Sequence, residues 1–234
     1  MEGERVVNVS LAKKDDSGAP IFAVKTDSSK EFETKTILVT TGSRYKRLGV
    51  PGEERFEGKG VAFCSTCDAP IFKDMDVAVV GGGNSSLEAV HDLLPYAKKI
   101  ILIHRGEALK GDPVSQERYL KNEKVRVILN AETQEILGDE RVSGLKYLDK
   151  NSGEVKELRI QGVFVKIGQV PNTDFLADLV ERDGVGQIVI DHKTSETNVP
   201  GVYAAGDVAD KSFNQAITGV ADGCTAAYSA YEYI

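Results

Sequence analysis

A short apolar strand that runs directly into three glycines constrains the fold of this chain more than any other segment. Residues 77–80 are continuously apolar, residues 81–83 are glycines, and a helical pattern of leucines and valines follows. Strand, glycine turn and helix in this order predict a βα unit of a nucleotide-binding domain. Gly81 allows the tight turn, and Gly83 allows the backbone to approach a pyrophosphate at the amino end of the helix. Ser86 replaces the third glycine of the G-x-G-x-x-G pattern, which leaves an ordinary βα turn as an alternative.

The next strand carries the residues that predict which nicotinamide nucleotide binds. It covers residues 99–103, about 20 residues after the glycine turn, where an NAD-specific protein commonly ends in Asp or Glu. Here His104 and Arg105 follow the strand, and Lys110 lies farther along the same loop. Cations at this place suit a 2′-phosphate, so NADPH is favoured over NADH. The alternatives are that Arg105 and Lys110 are solvated loop charges and that His104 is structural.

A pair of cysteines precedes this βα unit. Cys64 and Cys67 are separated by two residues, and Asp68 follows directly. Two cysteines at this spacing can close a small reducible ring, and their thiolate form attacks disulfides with a carboxyl group as proton acceptor or donor. Half of a zinc site is the alternative, but Cys224 is the only other cysteine and cannot complete a second pair. The dithiol and the glycine turn together predict a redox centre supplied by a nicotinamide.

The composition limits the kinds of molecule that this protein is expected to bind. The 234 residues carry a formal charge of −7 and no local cluster of Lys and Arg, so they offer no general attraction to nucleic acid or anionic lipid. No apolar stretch approaches the roughly 20 residues of a membrane-spanning helix, and the first residues lack the pattern of a signal peptide. We therefore expect a globular, cytoplasmic protein without nucleic acid, membrane or metal as partner.

Extended segments surround the central βα unit. Alternation at residues 7–11 and 21–24 predicts an antiparallel meander, and the apolar run 36–42 predicts a buried strand that ends at Gly42. Prolines and glycines within residues 48–53 predict a domain boundary. Further strands are expected in residues 125–129, 142–148, 162–168, 188–190 and 201–207, and a helix rich in small residues is expected in residues 215–231.

Taken in order, the motifs of this chain resemble those of low-molecular-weight thioredoxin reductase. The related flavoprotein component of alkyl hydroperoxide reductase shares much of the pattern. The motifs are residues 48–53, Cys64-Ser65-Thr66-Cys67-Asp68, residues 81–86, His104-Arg105, and residues 167–172, 201–208 and 214–216. The resemblance implies an α/β fold of two Rossmann-like, three-layer nucleotide-binding domains. An NAD(P)H domain, residues 48–173, carries the cysteines and is inserted into an FAD domain made of residues 1–47 and 174–234.

The resemblance also implies a role for each matching residue around the dithiol and the nicotinamide. Cys67 is the thiol that faces the flavin, Cys64 exchanges with the protein substrate, and Asp68 supplies or removes a proton. The second of two consecutive arginines in the family is Gly106 here, so NADH stays possible as electron donor. The nicotinamide nucleotide is expected at Gly81, Gly83, Asn84, Ser85, His104, Arg105 and Lys110.

FAD is expected at a second set of matching residues. Backbone N–H groups at Gly206 meet phosphate, Asp207 accepts a ribityl hydroxyl, and the amino end of the last helix stabilises negative charge on the flavin. Asn214 replaces a common arginine. The sequence starts downstream of the family's first FAD-binding βαβ unit, so we do not expect it to bind FAD independently. The full set of FAD positions is Gly42, Gly206, Asp207, Gln215 and Ala216.

Three functions are consistent with these patterns. The first is an NADPH-dependent disulfide reductase of thioredoxin reductase type, a homodimer that passes electrons through FAD to Cys64 and Cys67 and on to a small thioredoxin-like disulfide protein. The flavoprotein reductase of an alkyl hydroperoxide reductase system is a variant of this function. The second is a non-catalytic NAD(P)H-binding remnant. The third is an interaction partner that completes its missing unit with another polypeptide.

Overall fold

The computed structural model of the chain describes residues 3–211 and 213–234. Contacts divide the chain into two compact units. Tyr45–Gly168 forms one of them, called here the inserted unit, and Met1–Arg44 with Gln169–Ile234 forms the other, the flanking unit. Parallel sheets and helices confirm the predicted α/β class. None of the helices in the described part of the chain has the length and apolar character that crossing a bilayer requires.

Strands dominate the described residues. The strands are β1 (Val6–Lys14), β2 (Pro20–Thr26), β3 (Glu31–Thr34), β4 (Ile37–Val39), β5 (Ser43–Tyr45), β6 (Val61–Ala62), β7 (Asp76–Val80), β8 (Lys99–Ile103), β9 (Val125–Ile128), β10 (Ala131–Gly138), β11 (Val142–Asp149), β12 (Glu154–Arg159), β13 (Gly162–Val165), β14 (Gln169–Pro171) and β15 (Val202–Ala204). The α-helices are α1 (Ser65–Asp68), α2 (Asn84–Leu93), α3 (Pro113–Leu120) and α4 (Ala216–Tyr233). Short 3-10 turns cover Ala69–Phe72, Asp174–Leu176 and Gly206–Val208.

A parallel sheet between two covering layers forms the inserted unit. Its strand order is β6-β13-β7-β8-β9. Side chains alternate between the faces of a strand, so Val79 packs with Leu102 and with Leu87 of α2 on one face. Val80 packs on the other face with Leu145, which belongs to the antiparallel sheet β10-β11-β12. Because both faces are covered, the parallel strands are continuously apolar, as the sequence of residues 77–80 predicts.

The flanking unit contains the predicted meander and a short parallel pair. β1, β2 and β3 are consecutive antiparallel neighbours, and β4 pairs with β15 so that Ile37 lies opposite Val202. The strand predicted at residues 188–190 is wrong, because Ile188 makes only isolated bridges there. Ile188 and Ile190 are both buried in the core of this unit, so their alternation reflects core packing without a strand ladder.

Gly162 of β13 provides a test of the packing of the central sheet. A Cβ atom at this position would overlap the ring of Phe72. We expect Gly162→Ala to lower the free energy of unfolding by about 1 to 3 kcal/mol, because a close-packed core has no room for the methyl group. Urea denaturation followed by circular dichroism measures the effect.

Gly184→Ala is the matched control for this substitution. A Cβ atom at Gly184 would meet no atom within 4 Å, so its free energy of unfolding should stay within about 0.5 kcal/mol of the wild type. Equal stability of the two variants would show that Phe72 does not pack against β13 as described.

Candidate functional site

Four loops leave the sheet of the inserted unit at one edge. β6, β13, β7 and β8 are parallel neighbours, so the residues after their carboxyl ends lie on the same side of the sheet. Cys64 follows β6, Gly81 follows β7, His104 follows β8 and Lys166 follows β13. Ligands of α/β domains bind outside the carboxyl ends of parallel strands. The predicted dithiol and glycine turn therefore share the edge at which a ligand is expected.

The two cysteines form a disulfide at the start of α1. The Cα atoms of Cys64 and Cys67 are 5.3 Å apart, and their sulfur atoms are bonded. Cys64 caps the helix, with its Sγ accepting a hydrogen bond from the N–H of Cys67 at 3.2 Å. The N–H of Asp68 also donates to the Cys64 carbonyl at 3.1 Å. Cys67 is exposed and Cys64 is half-buried, so an outside molecule can reach the pair.

Asp68 provides an ionisable group at the end of the same helix. Burial raises the pKa of its carboxyl, and the charge of Lys166 offsets part of this effect. A carboxyl whose pKa moves toward neutrality is a better proton donor near pH 7. Asp68 and Cys64 line a cavity of about 560 Å³ whose apolar side includes Phe72 and Met75. The dithiol thus has an ionisable neighbour with a raised pKa and an adjacent cavity.

The glycine turn is closed on one side and open on the other. A Cβ atom at Gly81 would overlap the carbonyl oxygen of Lys166 and the hydroxyl of Ser86. The Ser86 hydroxyl donates to the same carbonyl at 3.2 Å, which explains how serine replaces the third glycine of the motif. A Cβ atom at Gly83 would meet nothing within 4 Å. The first N–H groups of a helix lack partners within it, so the open side of Gly83 fits the pyrophosphate of a dinucleotide.

The loop after β8 supports this turn and presents two cations. The N–H of Lys110 donates to the Gly82 carbonyl at 2.7 Å, and the His104 ring packs against Gly82 and Gly106. Burial, followed by the charges of Lys110 and Arg105, lowers the pKa of His104. Its Nε2 is buried without a hydrogen-bond partner among residues 3–211 and 213–234. His104 thus supports the glycine turn, while the exposed Arg105 and Lys110 are accessible to a ligand.

Asn84 and Ser85 are the first residues of α2. The Asn84 side-chain oxygen accepts a hydrogen bond from the N–H of Asp112 at 2.7 Å. Asp112 in turn caps α3 by accepting from the N–H of Ser115 at 2.8 Å. The Asn84 side chain therefore connects the starts of two helices, and a contact of Asn84 or Ser85 with the nucleotide stays a prediction.

Lys166 is the residue of this edge that the sequence reasoning missed. Its ammonium group donates to the carbonyl of Phe63 at 3.0 Å, and its own carbonyl accepts from Ser86. Lys166 therefore joins the residue before Cys64 to the helix that follows the glycine turn. The available signal was a lysine placed directly after four buried residues of β13.

The residues predicted for FAD belong to the flanking unit and follow the parallel pair β4 and β15. The N–H of Ala205 donates to the Val39 carbonyl at 3.0 Å, so Gly42 and Gly206 follow neighbouring strand ends. Gly206 has a φ of 75° and lies against Gly219 of α4. Gln215 caps α4 and Ala216 is its first residue, while Asp207 lies in the turn after β15.

A buried oxygen provides a test of whether this region fits a bound group. The side-chain oxygen of Asn214 is buried without a hydrogen-bond partner in the described part of the chain. Buried polar atoms are normally paired, so a donor from a bound group would complete this site. Gly206 has the positive φ that glycine adopts readily, so the backbone can turn sharply after β15. The geometry fits a nucleotide, and contacts of these five residues with FAD stay predictions.

The raised pKa of Asp68 predicts an unusual pH dependence of stability. The folded chain holds this proton more tightly than the unfolded chain, so stability falls as pH rises from about 3.9, the unfolded pKa, through the raised folded pKa. Asn stays neutral throughout. We expect Asp68→Asn to be more stable than the wild type at pH 7 and equally stable near pH 3, as measured by urea denaturation. A deficit of the variant at pH 7 would contradict burial of the carboxylate.

Comparison with known proteins identifies the family. A model of pyridine nucleotide-disulphide oxidoreductases matches residues 4–223. An NADH dehydrogenase of Bacillus subtilis is 42% identical over 98% of this chain and 45% of its own length. An alkyl hydroperoxide reductase component of Staphylococcus aureus is 43% identical over 90% of this chain and 41% of its own length. The chain thus spans less than half of these curated relatives.

A solved structure shows the same architecture. Thioredoxin reductase from Streptococcus pyogenes superposes with a TM-score of 0.87 at 34% identity, covering 98% of this chain and 73% of that one. The predicted resemblance to thioredoxin reductases is therefore confirmed. The family comprises oxidoreductases that depend on FAD and a nicotinamide nucleotide. This chain belongs to the pyridine nucleotide-disulphide oxidoreductases, with the thioredoxin reductases among its structural relatives.

Proposed function

We propose that this chain acts in a flavoprotein disulfide reductase that moves electrons from NADPH through FAD to the Cys64–Cys67 pair and on to a small thioredoxin-like protein. The observation that carries the proposal is the bonded cysteine pair at the sheet edge that also holds the glycine turn. The similarity to thioredoxin reductase of Streptococcus pyogenes supports the choice of partner.

The dithiol would act by thiol–disulfide exchange. In the reduced chain the Cys64 thiolate attacks the disulfide of the partner, which forms a mixed disulfide and releases one partner thiolate. Cys67 then attacks Cys64, which restores the Cys64–Cys67 disulfide and releases the second partner thiolate. The two leaving thiolates need two protons, and we assign their transfer to Asp68, whose pKa is raised by burial. FAD, when bound, supplies the two-electron step between nicotinamide and dithiol.

The nicotinamide site favours NADPH. Arg105 and Lys110 are exposed in the loop whose backbone bonds to Gly82 of the glycine turn, and no carboxylate ends β8 to bind ribose hydroxyls. NADH is the alternative donor, supported by Gly106 in place of a second arginine and by the name of the Bacillus subtilis relative. We assign Gly81 and Gly83 to the pyrophosphate, with Asn84, Ser85 and His104 beside it.

The flanking unit is assigned to FAD. Gly42 and Gly206 follow the paired ends of β4 and β15, where the backbone can approach phosphate. Asp207 is half-buried beside them and suits a ribityl hydroxyl, and Gln215 with Ala216 begins α4. The amino end of an 18-residue helix favours a negative charge on a neighbouring ring.

α4 also supports assembly as a homodimer. Its exposed side carries large apolar residues at helical spacing, with Ile217 75% and Tyr231 79% exposed. Val220 and Tyr228 lie between them on the same exposed stripe. An apolar stripe of this length is typical of a surface that packs against another protein segment.

A second candidate differs in the partner. The 43% identity to the alkyl hydroperoxide reductase component of Staphylococcus aureus over 90% of this chain favours a reductase that serves a peroxide-reducing protein. The dithiol chemistry would be the same, and the identity of the disulfide protein would separate the two candidates.

Trapping the exchange intermediate tests the proposed role of the dithiol. In a Cys224→Ser background, which removes the exposed free cysteine, we expect reduced Cys67→Ser to form a mixed disulfide with oxidised thioredoxin. Without Cys67 the bond from Cys64 to the partner cannot be resolved. Intact mass spectrometry detects the adduct, which a reducing agent should remove.

Cys64→Ser in the same background is the matched control and should form at least about a hundredfold less adduct. Equal trapping by both variants would overturn the assigned roles of the cysteines. Absence of flavin bands after FAD is added would restrict this chain to the nicotinamide and dithiol steps, whereas flavin bands that NADPH does not bleach would overturn the flavin route. A peroxide-reducing protein trapped in preference to thioredoxin would select the second candidate.

Arg105→Ala tests the nucleotide preference. Loss of a charge-assisted contact with the 2′-phosphate should weaken NADP⁺ binding about tenfold, or about 1.4 kcal/mol, and leave NAD⁺ binding unchanged. Isothermal titration calorimetry measures both affinities. Arg126→Ala, at an exposed position of β9, is the control and should change neither. Equal loss of NADP⁺ and NAD⁺ affinity on Arg105→Ala would contradict recognition of the 2′-phosphate.

A further inference from the structure

Lys166 lies in the inserted unit with its ammonium group bonded to the residue before the dithiol. Its ammonium group donates a hydrogen bond to the Phe63 carbonyl at 3.0 Å, and that peptide group leads directly into Cys64. Its backbone carbonyl is held by the Ser86 hydroxyl at 3.2 Å. Two hydrogen bonds thus fix both ends of this residue, which is half-buried. A lysine on a solvated loop would have neither constraint.

Carboxylates surround this ammonium group on the side of α1 and α2. Glu88, Asp92 and Asp68 are the acidic groups whose charges act on Lys166. Asp92 also accepts a hydrogen bond from the hydroxyl of Thr66 at 3.1 Å, and Thr66 lies between the two cysteines. Asp68 and Asp92 are thus connected to the helix that carries the dithiol, and Glu88 lies beside Lys166. Negative charge near a thiol disfavours its thiolate.

The remaining charged groups near Cys64 line the cavity that it shares with Asp68. They include Lys59, Arg141 and Glu57. Arg47 also lies near, with its guanidinium 4.5 Å from the centroid of the Phe63 ring and paired with Glu57. Lys166 is distinguished from these by its bond to the peptide before Cys64 and by its position among the three carboxylates. Burial lowers the pKa of Lys166, and Glu88, Asp92 and Asp68 oppose that change.

We propose that Lys166 is a positioning residue for the dithiol, which fixes the peptide before Cys64 and supplies the positive charge that stabilises the Cys64 thiolate against Asp68, Glu88 and Asp92. The proposal rests on the proposed function in one respect, that the reduced Cys64 is the attacking thiol. Without the charge of Lys166 the Cys64 thiolate would form at higher pH, and less of the attacking species would be present near neutrality.

The test is the pH profile of Cys64 alkylation in the reduced full chain, in the Cys224→Ser background. Iodoacetamide is the probe, and peptide mass spectrometry separates Cys64 from Cys67. Lys166→Gln keeps a donor for the Phe63 carbonyl and removes the charge. We expect the midpoint of the profile to rise by about one pH unit. At pH values below both midpoints the alkylation rate should fall about threefold, because the smaller thiolate fraction is partly offset by greater nucleophilicity.

Two further variants separate charge from structure. Lys166→Arg keeps the charge and should keep the wild-type midpoint, whereas Lys166→Met should shift it at least as far as Lys166→Gln. Lys99→Gln is the matched control, since Lys99 is an exposed lysine at the opposite end of the sheet, and should leave the profile unchanged. Circular dichroism identifies unfolded variants, and Lys166→Gln alone decides the question if Lys166→Met does not fold.

An unchanged midpoint in folded Lys166→Gln, or a shift of equal size in Lys166→Arg, would overturn the proposal. The measurement needs neither flavin nor nicotinamide, so its outcome is separate from that of the proposed reductase activity. A shifted profile together with bound flavin that NADPH does not bleach would reject the proposed flavin route and keep the role of Lys166.

Discussion

The parallel register of β6, β13 and β7 is the constraint on which the candidate site depends. Val163 of β13 lies opposite Val61 on one side and Ala78 on the other, so the three strands end at matching levels. A slip of one residue would turn every side chain of a strand to the other face. The contacts of Lys166 with Phe63 and with the glycine turn would then be lost.

Close packing of the backbone at the strand ends depends on this register and shapes the site. The Lys166 carbonyl occupies the space that any side chain at Gly81 would need, and Ser86 completes the contact with its hydroxyl. The same segment holds the Phe63 carbonyl through the lysine side chain. Lys166, the first residue after β13, thus connects the loops that follow β6 and β7. Such rigid support is what a pair of reacting thiols requires for reproducible geometry.

Local patterns were sufficient to predict the elements but not the contacts between them. The run of residues 77–83 and the small-residue helix α4 depend on neighbours in sequence, and the structure contains both. The role of Lys166 depends on Phe63, which is 103 residues away in sequence, and no local pattern encodes that distance. The strand predicted at Ile188 was an error of the opposite kind. Its apolar residues alternate because they are buried in the core, and this alternation resembles that of a strand. Cofactor contacts involve groups outside the chain, so the residues assigned to FAD and NADPH stay predictions.

The split of the flanking unit across the sequence has a consequence for how the polypeptide acquires its structure. β4 finds its partner β15 only after the whole of Tyr45–Gly168 has been synthesised. Closing so long a loop costs entropy that grows with the logarithm of its length, but a loop that has already collapsed into a compact body brings its ends closer than a random coil would. Early folding of the inserted unit would therefore accelerate the later pairing of β4 with β15. A mutation that delays folding of the inserted unit would leave β4 unpaired for longer and prone to aggregation on the ribosome.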